Sequence, residues 1–259
     1  IALTWLQRLR LPAVAVDPDT LGEVVAEYHR VGTSTELETH LFDATTDYGV
    51  PTLYAVQTSQ VDPELAQVVA ATCDIDPQRA LAKIYRELAS LRIALRSHAR
   101  GPRAQEIKGQ DLTVVGGALA DAELSMRHVF DFLLEGERPV HALDEIGTLP
   151  ESRPGAGSGD SPDGASGSAD SAAGPDPLER VVTNLERAGA EAIVVDITTD
   201  EARQVGMHVI KALIPEAMPL SFSHHARYLA TPRLYQAPRA MGLTVHDEAG
   251  INPVRQPFA

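Results

Sequence analysis

The sequence contains little that would place it outside the cell or within a membrane. Cys73 is the only cysteine among 259 residues, so no intramolecular disulfide can form and an oxidising compartment is not indicated. The apolar stretches, such as 66–72, are much shorter than the roughly 20 residues of a membrane-spanning helix. Residues 1–5 lack the basic flank and the apolar run of a signal peptide. These absences predict a cytoplasmic protein with no membrane partner.

Basic residues are also few. Lys and Arg number 22 against 36 Asp and Glu, which gives a formal net charge of −14. A charge of this sign repels nucleic acids and anionic lipids, so we expect no nucleic-acid partner. One local cationic stretch contains Arg92, Arg96, His98, Arg100, Arg103 and Lys108. It is either a solvated helix end that complements the helix dipole or a contact for a phosphate or an acidic peptide.

Several well-defined site motifs are missing. The sequence has no Gly-x-Gly-x-x-Gly, Gly-x-x-x-x-Gly-Lys or Gly-x-Ser-x-Gly pattern, and the glycine pair at 116–117 is too sparse to cradle a phosphate. His224 and His225 are adjacent, and adjacent side chains on a strand point to opposite faces. No Cys or His partner at a recognised spacing follows them, which disfavours a metal site there. Short motifs alone therefore indicate no reaction.

Apolar residues alternate between helix-like and strand-like spacing along the chain. The pattern predicts helices at 21–31, 76–100, 121–134 and 178–188. It predicts strands at 36–44, 51–57, 192–198 and 208–214. A tight turn at 47–49 joins the first two strands, and a helical turn at 200–205 gives the last third a β-α-β order, as in an α/β fold.

Residues 150–177 differ in composition from the rest of the chain. They are rich in Gly, Ser, Pro and Asp and contain no apolar side chain larger than alanine or proline. Such a segment cannot offset the entropy lost on ordering by burying apolar surface. We therefore predict a disordered insertion, a flexible coil that leaves and re-enters one fold or joins two lobes.

The most informative predicted helix carries Glu87 near its middle. Asp76 and Pro77 are favourable starting residues, because the carboxylate caps free amides and proline fits the first turn. The three- and four-residue spacing of apolar side chains predicts a buried stripe of Leu81, Ile84, Leu88, Leu91 and Leu95. The flanks of this stripe, or the surface beyond them, are expected to carry Lys83, Glu87 and Arg92. On spacing alone, Lys83 and Glu87 form an ordinary surface ion pair.

Blocks on both sides of this helix are similar to those of one known family, in the same order. They lie at 42–56, 193–200, 206–215, 232–235 and 252–259. The first contains Asp-Ala-Thr-Thr-Asp-Tyr-Gly-Val-Pro, close to an Asp-x-Thr-x-Asp-x-Gly-Ile-Pro pattern, and the next two match Val-Val-Asp-x-Thr and Gly-x-x-Val-x-Lys-x-x-Val-Pro strands. The chain thus resembles the YcaO family, whose members use ATP to modify backbone amides of ribosomally made peptides.

The resemblance implies an α/β (α+β) YcaO-like fold with mixed sheets and flanking helices. Its blocks stand on both sides of the Gly/Ser-rich segment, which favours an insertion in a single domain. Residues 1–149 are then the central part of this domain, 150–177 the disordered linker and 178–259 the carboxyl-terminal part. Because the sequence begins at Ile1, we expect the family's amino-terminal portion, with further ATP-contacting residues and magnesium-binding glutamates, to be missing.

The subgroup that the chain most resembles makes thiazoline and oxazoline rings. In these cyclodehydratases a Cys, Ser or Thr side chain of the substrate peptide adds to the preceding amide carbon. ATP phosphorylates the resulting oxyanion and loss of phosphate leaves the ring, while magnesium held by carboxylates neutralises the developing charge. The resemblance therefore implies ATP and magnesium as cofactors and a precursor peptide as substrate.

The candidate site residues follow from the same resemblance. Glu87 matches the helix glutamate of the family's ATP and magnesium site, so it is expected to bind the metal and to act in catalysis. The family's Glu-x-x-Gln-x-Arg pattern makes Ser90 and Arg92 nucleotide contacts, with serine here in place of the amide residue. The family's tail implies that Pro257 and Ala259 take part in catalysis, with the terminal carboxylate acting as a base or orienting the substrate amide.

Other interpretations of the resemblance stay open. The tail has Pro253 and Pro257 rather than the Pro-x-Pro ending that is common in azoline-forming members. A thioamide-forming YcaO enzyme uses external sulfide as the nucleophile, and a noncatalytic YcaO-like scaffold serves a modifying complex. Further partners implied by the resemblance are a leader-peptide-binding protein and a second copy of the chain in a homodimer.

Overall fold

A computed structural model describes residues 1–33, 36–101, 106, 114–147, 176–221 and 223–257. The linker predicted at 150–177 lies outside the described residues, except for its last two positions. Arg103, Lys108 and Ala259 also lie outside them. The disordered linker and the domain bounds drawn around it therefore stay predictions.

The described elements alternate between helices and strands. The α-helices are α1 (Ala2–Leu6), α2 (Glu23–Thr33), α3 (Pro77–Ala99), α4 (Val114–Ala120), α5 (Asp131–Leu134), α6 (Pro177–Arg187), α7 (Asp200–Gln204) and α8 (Arg233–Ala240). The strands are β1 (Ala13–Ala15), β2 (Leu37–Asp43), β3 (Thr52–Ser59), β4 (Gln67–Cys73), β5 (Val140–Ala142), β6 (Ile193–Asp196) and β7 (Ile210–Leu213). Short 3-10 helices occupy Pro18–Thr20, Leu124–Phe130, Leu143–Glu145, His224–Ala226 and Glu248–Gly250.

Five strands form one mixed sheet in the order β4-β3-β2-β1-β5. Neighbouring strands are antiparallel except β1 and β5, which are parallel. In the antiparallel part, Phe42 lies opposite Tyr54, and Ala55 lies opposite Ala70. The mixed sheet with flanking helices confirms the predicted fold class.

The sequence pattern did not predict β4, and the structure explains why. Val68 and Ala70 belong to the apolar core beneath α3, whereas Val69 belongs to a second core around Trp5 on the other face. A strand that is buried on both faces shows a continuous apolar run instead of polar alternation. Periodicity alone cannot tell such a run from a buried helix segment.

Helix α3 agrees closely with the predicted 76–100. The Asp76 side chain accepts a hydrogen bond of 2.9 Å from the Gln78 N–H, and Pro77 occupies the first helical position. The fully buried side chains of the helix include Leu81, Ile84 and Leu88, and they pack on β3 and β4. Within the described part of the chain, no helix is both long and apolar enough to cross a bilayer.

The predicted helix at 121–134 is wrong in its geometry. The chain instead forms a 3-10 helix at Leu124–Phe130 that leads into α5. Leu124 is tied to the neighbouring loop, because its N–H donates to the Pro63 carbonyl at 3.0 Å. Within these two elements Phe130 and Leu133 are buried, whereas Leu124 is exposed. The buried side chains of this segment are therefore not spaced at the four-residue steps that predicted a regular α-helix.

The last third contains the predicted elements in the predicted order, but β6 and β7 are antiparallel. The single-turn helix α7 lies between them. Thr198 closes the reversal, because its hydroxyl accepts the Val209 N–H at 2.8 Å while the Ile197 N–H donates to the Val209 carbonyl at 2.9 Å. Five apolar side chains of these two strands are 40–63% exposed. They belong to Ile193, Val194, Val195, Ile210 and Leu213.

We predict that Leu88→Ala lowers the free energy of unfolding by about 2–5 kcal/mol, because Leu88 is fully buried where α3 meets the sheet. Ile93→Ala on the same helix is the matched control. Ile93 is 78% exposed, so we expect a change below about 0.5 kcal/mol. Urea unfolding followed by circular dichroism measures both. Equal losses in the two variants would contradict the placement of α3.

Candidate functional site

The exposed side of α3 carries Glu87 and Ser90 together. Both residues are exposed, and three helical steps bring them to within about 60° of each other around the axis. The Glu87 carboxylate makes no hydrogen bond or ion pair with the described residues. The structure therefore brings together two of the predicted site residues and leaves the carboxylate available to a ligand.

Lys83 does not form the surface pair with Glu87 that the spacing suggests. Its Nζ atom donates to the Cys73 carbonyl at 2.8 Å and lies 3.6 Å from Asp74 Oδ2. Lys83 thus ties the first turns of α3 to the end of β4. Because Lys83 has these partners, it does not form an ion pair with Glu87.

Arg92 is buried, which corrects the expectation that it lies at the flank of α3 or beyond. Its side chain is turned about 140° around the helix from Glu87, and the residue is only 6% exposed. The guanidinium donates to Gln57 Oε1 at 2.6 Å, to the Gln57 carbonyl at 3.1 Å and to the Leu65 carbonyl at 2.9 Å. Burial lowers the pKa of Arg92 to about 10, with the Asp62 carboxylate opposing this shift. Arg92 therefore joins α3 to β3, and the structure does not place its guanidinium beside Glu87.

The described residues supply one candidate magnesium ligand and not a complete set. Magnesium prefers oxygen ligands and is commonly held by one or two carboxylates together with substrate phosphates. The exposed Glu87 carboxylate meets that requirement. Among the residues that the structure describes, no three His, Cys, Asp or Glu side chains cluster so as to hold a metal. Glu87 therefore fits a metal ion that phosphate oxygens also bind.

The two adjacent histidines lie in the 3-10 helix His224–Ala226, not on a strand. The two side chains therefore do not have the opposite-face arrangement expected of a strand. Their rings are 5.6 Å apart and roughly edge to face. No group of three or more metal-ligating side chains is found around them among the described residues.

The Asp-x-Thr-x-Asp-x-Gly block forms a corner that holds α8. Gly49 has a φ of +62°, and its N–H donates to the Thr46 carbonyl at 2.8 Å, a geometry that favours glycine. Arg233 donates to both carboxylate oxygens of Asp47. The same guanidinium stacks 3.6 Å above the centre of the Tyr48 ring. The Arg233 side chain therefore fixes the start of α8 to the β2–β3 connection.

A partly buried acid–histidine pair lies in the sheet, and no motif in the sequence signals it. His141 Nδ1 lies 2.8 Å from Asp43 Oδ2, and Asp43 also accepts the Thr45 N–H at 3.0 Å. The pair joins β2 to β5 across β1. No spacing in the sequence relates positions 98 residues apart, so only the strand order identifies this contact.

The carboxyl-terminal tail, defined here as residues 252–259, is anchored by the first helix of the chain. The Asn252 N–H donates to the Leu6 carbonyl at 2.8 Å, and its side-chain amide donates to the Trp5 carbonyl at 3.1 Å. Trp5 Nε1 in turn donates to the Val254 carbonyl at 3.0 Å. These bonds hold the described part of the tail against the Trp5 core.

The tail then reaches α3. Pro257 is buried and lines a small cavity together with Leu91 of α3. Leu91 follows Glu87 by four residues, so the two lie on neighbouring sides of the helix. The structure thus brings one of the predicted tail residues to the helix that carries Glu87. Ala259, the other predicted tail residue, lies outside the described residues.

A family model described as YcaO cyclodehydratase, ATP- and Mg2+-binding, matches residues 1–218. A solved heterocyclase in complex with substrate and cofactor has a TM-score of 0.64 at 20% sequence identity, and the heterocyclase TruD has a TM-score of 0.62 at 18% identity. In both, the match covers 99% of this chain and 30% of the other. No curated protein matches the sequence significantly.

The two solved structures share the fold with this chain at a low sequence identity. This chain spans only about 30% of their length. The predicted YcaO-like fold and the resemblance in the sequence blocks are both confirmed, and the family is described as binding ATP and Mg2+. Because the family model matches 1–218 of 259 residues, the chain belongs to the YcaO family.

Proposed function

We propose that the chain forms the central and carboxyl-terminal part of an ATP-dependent peptide-modifying enzyme. The reaction converts Cys, Ser or Thr residues of a ribosomally made precursor peptide to thiazoline or oxazoline. One observation carries the proposal, the exposed and uncommitted Glu87 carboxylate on the central helix of a YcaO-family chain. The two heterocyclase neighbours support the fold on which this site stands.

The residues of α3 have separate parts in this proposal. Glu87 binds magnesium through its carboxylate, and Ser90, one turn further on, offers a hydroxyl to the nucleotide. ATP supplies the phosphoryl group that makes the amide oxygen of the peptide a leaving group. Arg92 supports nucleotide binding from beneath, because its bonds to Gln57 and Leu65 hold the helix in position.

The tail has a positioning and a chemical part. Pro257 closes over the cavity beside Leu91, and proline reduces the entropy lost when a tail is held in place. The terminal carboxylate of Ala259 then acts as a base or orients the substrate amide. The anchoring of Asn252 and Val254 to Trp5 supports this proposal, because it directs the tail toward α3.

The partners and domain organisation belong to the same proposal. The precursor peptide is the substrate, a separate protein binds its leader, and the chain forms a homodimer. Residues 1–149 and 178–259 form one YcaO domain that the linker 150–177 interrupts. The family match extends from 1 to 218 and so includes both sides of the linker, which supports a single domain.

A second candidate function is a noncatalytic scaffold in a peptide-modifying complex. The placement of Arg92 favours it, because a guanidinium bonded within the protein cannot reach a phosphate from this position. Thioamide formation is a variant of the first proposal in which external sulfide replaces the peptide side chain. It uses the same nucleotide residues, so the peptide product distinguishes it from ring formation.

We predict that Glu87→Gln in the complete protein lowers peptide-dependent phosphate release by about 100-fold or more, because the amide is a poor magnesium ligand. The midpoint of thermal unfolding should stay nearly unchanged, since the Glu87 carboxylate has no partner among the described residues. Phosphate release and differential scanning calorimetry measure the two effects.

Glu137→Gln is the matched control for Glu87→Gln, because it makes the same chemical change at another exposed position. Its turnover should equal that of the parent. Parental turnover in Glu87→Gln itself would remove Glu87 from the site and favour the scaffold.

We predict that deletion of residues 256–259 reduces ring formation in the complete protein by about tenfold or more with little effect on ATP affinity. The deletion removes Pro257 and the terminal carboxylate and leaves the anchor at Asn252 intact. Mass spectrometry counts the water molecules lost from the peptide, and equilibrium binding of labelled ATP gives the affinity. Ring formation at the parental rate would exclude a catalytic part for the tail.

A further inference from the structure

A small cavity lies where the tail meets α3, β4 and α4. Its volume is about 10 Å³, close to the least space that holds one water molecule. Most of the lining residues are apolar, among them Val69, Leu95, Phe130 and Pro257, and the polar ones are Gln67 and Asp121. The two polar residues are almost fully buried, with Asp121 3% and Gln67 2% exposed.

Both polar residues carry an oxygen without a partner. Asp121 Oδ2 and Gln67 Oε1 have no hydrogen-bond partner among the described residues. The Gln67 amide cannot be reversed to satisfy its oxygen, because its Nε2 atom already donates to the Asp121 carbonyl at 2.6 Å and to the Glu123 carbonyl. A neutral carboxyl group can donate a hydrogen bond, whereas an ionised carboxylate only accepts. The cavity therefore lacks a donor unless Asp121 carries a proton or water enters.

We propose that Asp121 is a positioning residue for the tail and that its proton controls whether Pro257 closes the cavity. With the proton present, the neutral carboxyl group stays buried and Pro257 lines the cavity beside Leu91 and Leu95 of α3. Loss of the proton creates a charge that requires water, and Pro257 then leaves the cavity. The positioning of the tail by Asp121 stands without the proposed function. Only the tail's part in ring formation rests on that function.

The charges around Asp121 decide the direction of the effect. Arg255 of the tail and His128 of the 3-10 helix both favour the ionised carboxylate, but burial outweighs them and raises the pKa of Asp121 to about 7. The neighbouring residues on α3, α4 and β4 are Leu91, Leu95, Ala118, Val68 and Val69, which carry no charge. The pKa of Asp121 is therefore highest when the tail closes the cavity.

Linkage then fixes the pH window. The ordinary pKa of this carboxyl group is 3.8 and its pKa in the closed cavity is about 7. The proton therefore stabilises the closed tail fully below about pH 4, and this contribution is lost as the pH rises through about 7. Part of this stabilisation remains at pH 6 and none at pH 8.5, so the tail should leave the cavity more often at pH 8.5.

Hydrogen exchange of the tail amides tests this directly in the 259-residue chain. The amides of Val254, Arg255 and Gln256 are compared at pH 6 and 8.5 between the parent and Asp121→Asn, which mimics the protonated side chain at every pH. Because the two proteins are compared at equal pH, the intrinsic pH dependence of exchange cancels. We expect the parent to exchange faster than Asp121→Asn at both pH values, with a parent-to-variant rate ratio at least about fivefold larger at pH 8.5 than at pH 6. The same rate ratio at both pH values would overturn the proposal.

His128→Gln is the control for the other titratable group that faces Asp121. The faster exchange at pH 8.5 should persist in this variant, and its loss would assign the transition to His128 and overturn the proposal. Trp5 provides a second probe because it donates to the Val254 carbonyl and is the only tryptophan. Its emission should change with pH in the parent and stay constant in Asp121→Asn.

A reciprocal measurement does not depend on whether Asp121→Asn folds. The 13C resonance of the Asp121 carboxyl group gives its pKa in the parent and after deletion of residues 256–259. The deletion opens the cavity, so we expect the pKa to fall by at least about one unit. An unchanged pKa would show that the tail does not close over Asp121.

These measurements require neither ATP nor peptide, so they separate the inference from the proposed function. If the tail responds to the Asp121 proton as expected, the positioning role is established. This conclusion holds even if the tail deletion leaves ring formation intact. If the tail shows no such response, the positioning role fails even where Glu87 proves essential for turnover. When both hold, ring formation in the complete protein should decline relative to Asp121→Asn as the pH rises toward about 7.

Discussion

The packing of α3 on β3 and β4 is the constraint on which the candidate site depends. Leu81, Ile84 and Leu88 are fully buried against the sheet, which fixes the rotation of the helix about its axis. Once that rotation is fixed, Glu87 must face outward and Arg92 inward. A change of one residue in the spacing would rotate the helix by about 100° and exchange these environments.

The charged side chain of Arg92 contributes to the packing of α3 on the sheet. Its guanidinium bonds to Gln57 and to the Leu65 carbonyl beneath the helix. Burying a charge is costly unless hydrogen bonds replace the lost water, and these partners supply that replacement. The bonds also bridge α3, β3 and the β3–β4 connection, so the helix face that carries Glu87 is fixed from below.

The two ends of the chain stabilise each other at the opposite face of the sheet. Trp5 packs against Phe130 and Phe132, while its Nε1 atom and its carbonyl bond to the tail. Asp47 and Arg233 make a second long-range contact, between the β2–β3 corner and α8. Family-like blocks that are far apart in sequence are thus joined by hydrogen bonds in the fold, which gives a physical reason for the residue types at those positions.

The sequence by itself determined several of the local elements. Asp76, Pro77 and the leucine spacing predicted α3 almost to the residue, because capping and amphipathic periodicity act within a few turns. Gly49 similarly marked the turn between β2 and β3. The ordered blocks identified the family, and with it Glu87 as the candidate carboxylate. These features depend on contacts close in the chain or on the order of residue types.

Only the tertiary structure decided which side chains meet. It buried β4 on both faces, turned Arg92 into the interior and paired β6 with β7 in antiparallel orientation. It also brought Asp121 beside Gln67 and Pro257 in one cavity. These outcomes depend on contacts between residues far apart in sequence, for which local periodicity carries no signal. A charged side chain at a helix flank has no fixed environment until the neighbouring strands and the tail are in place.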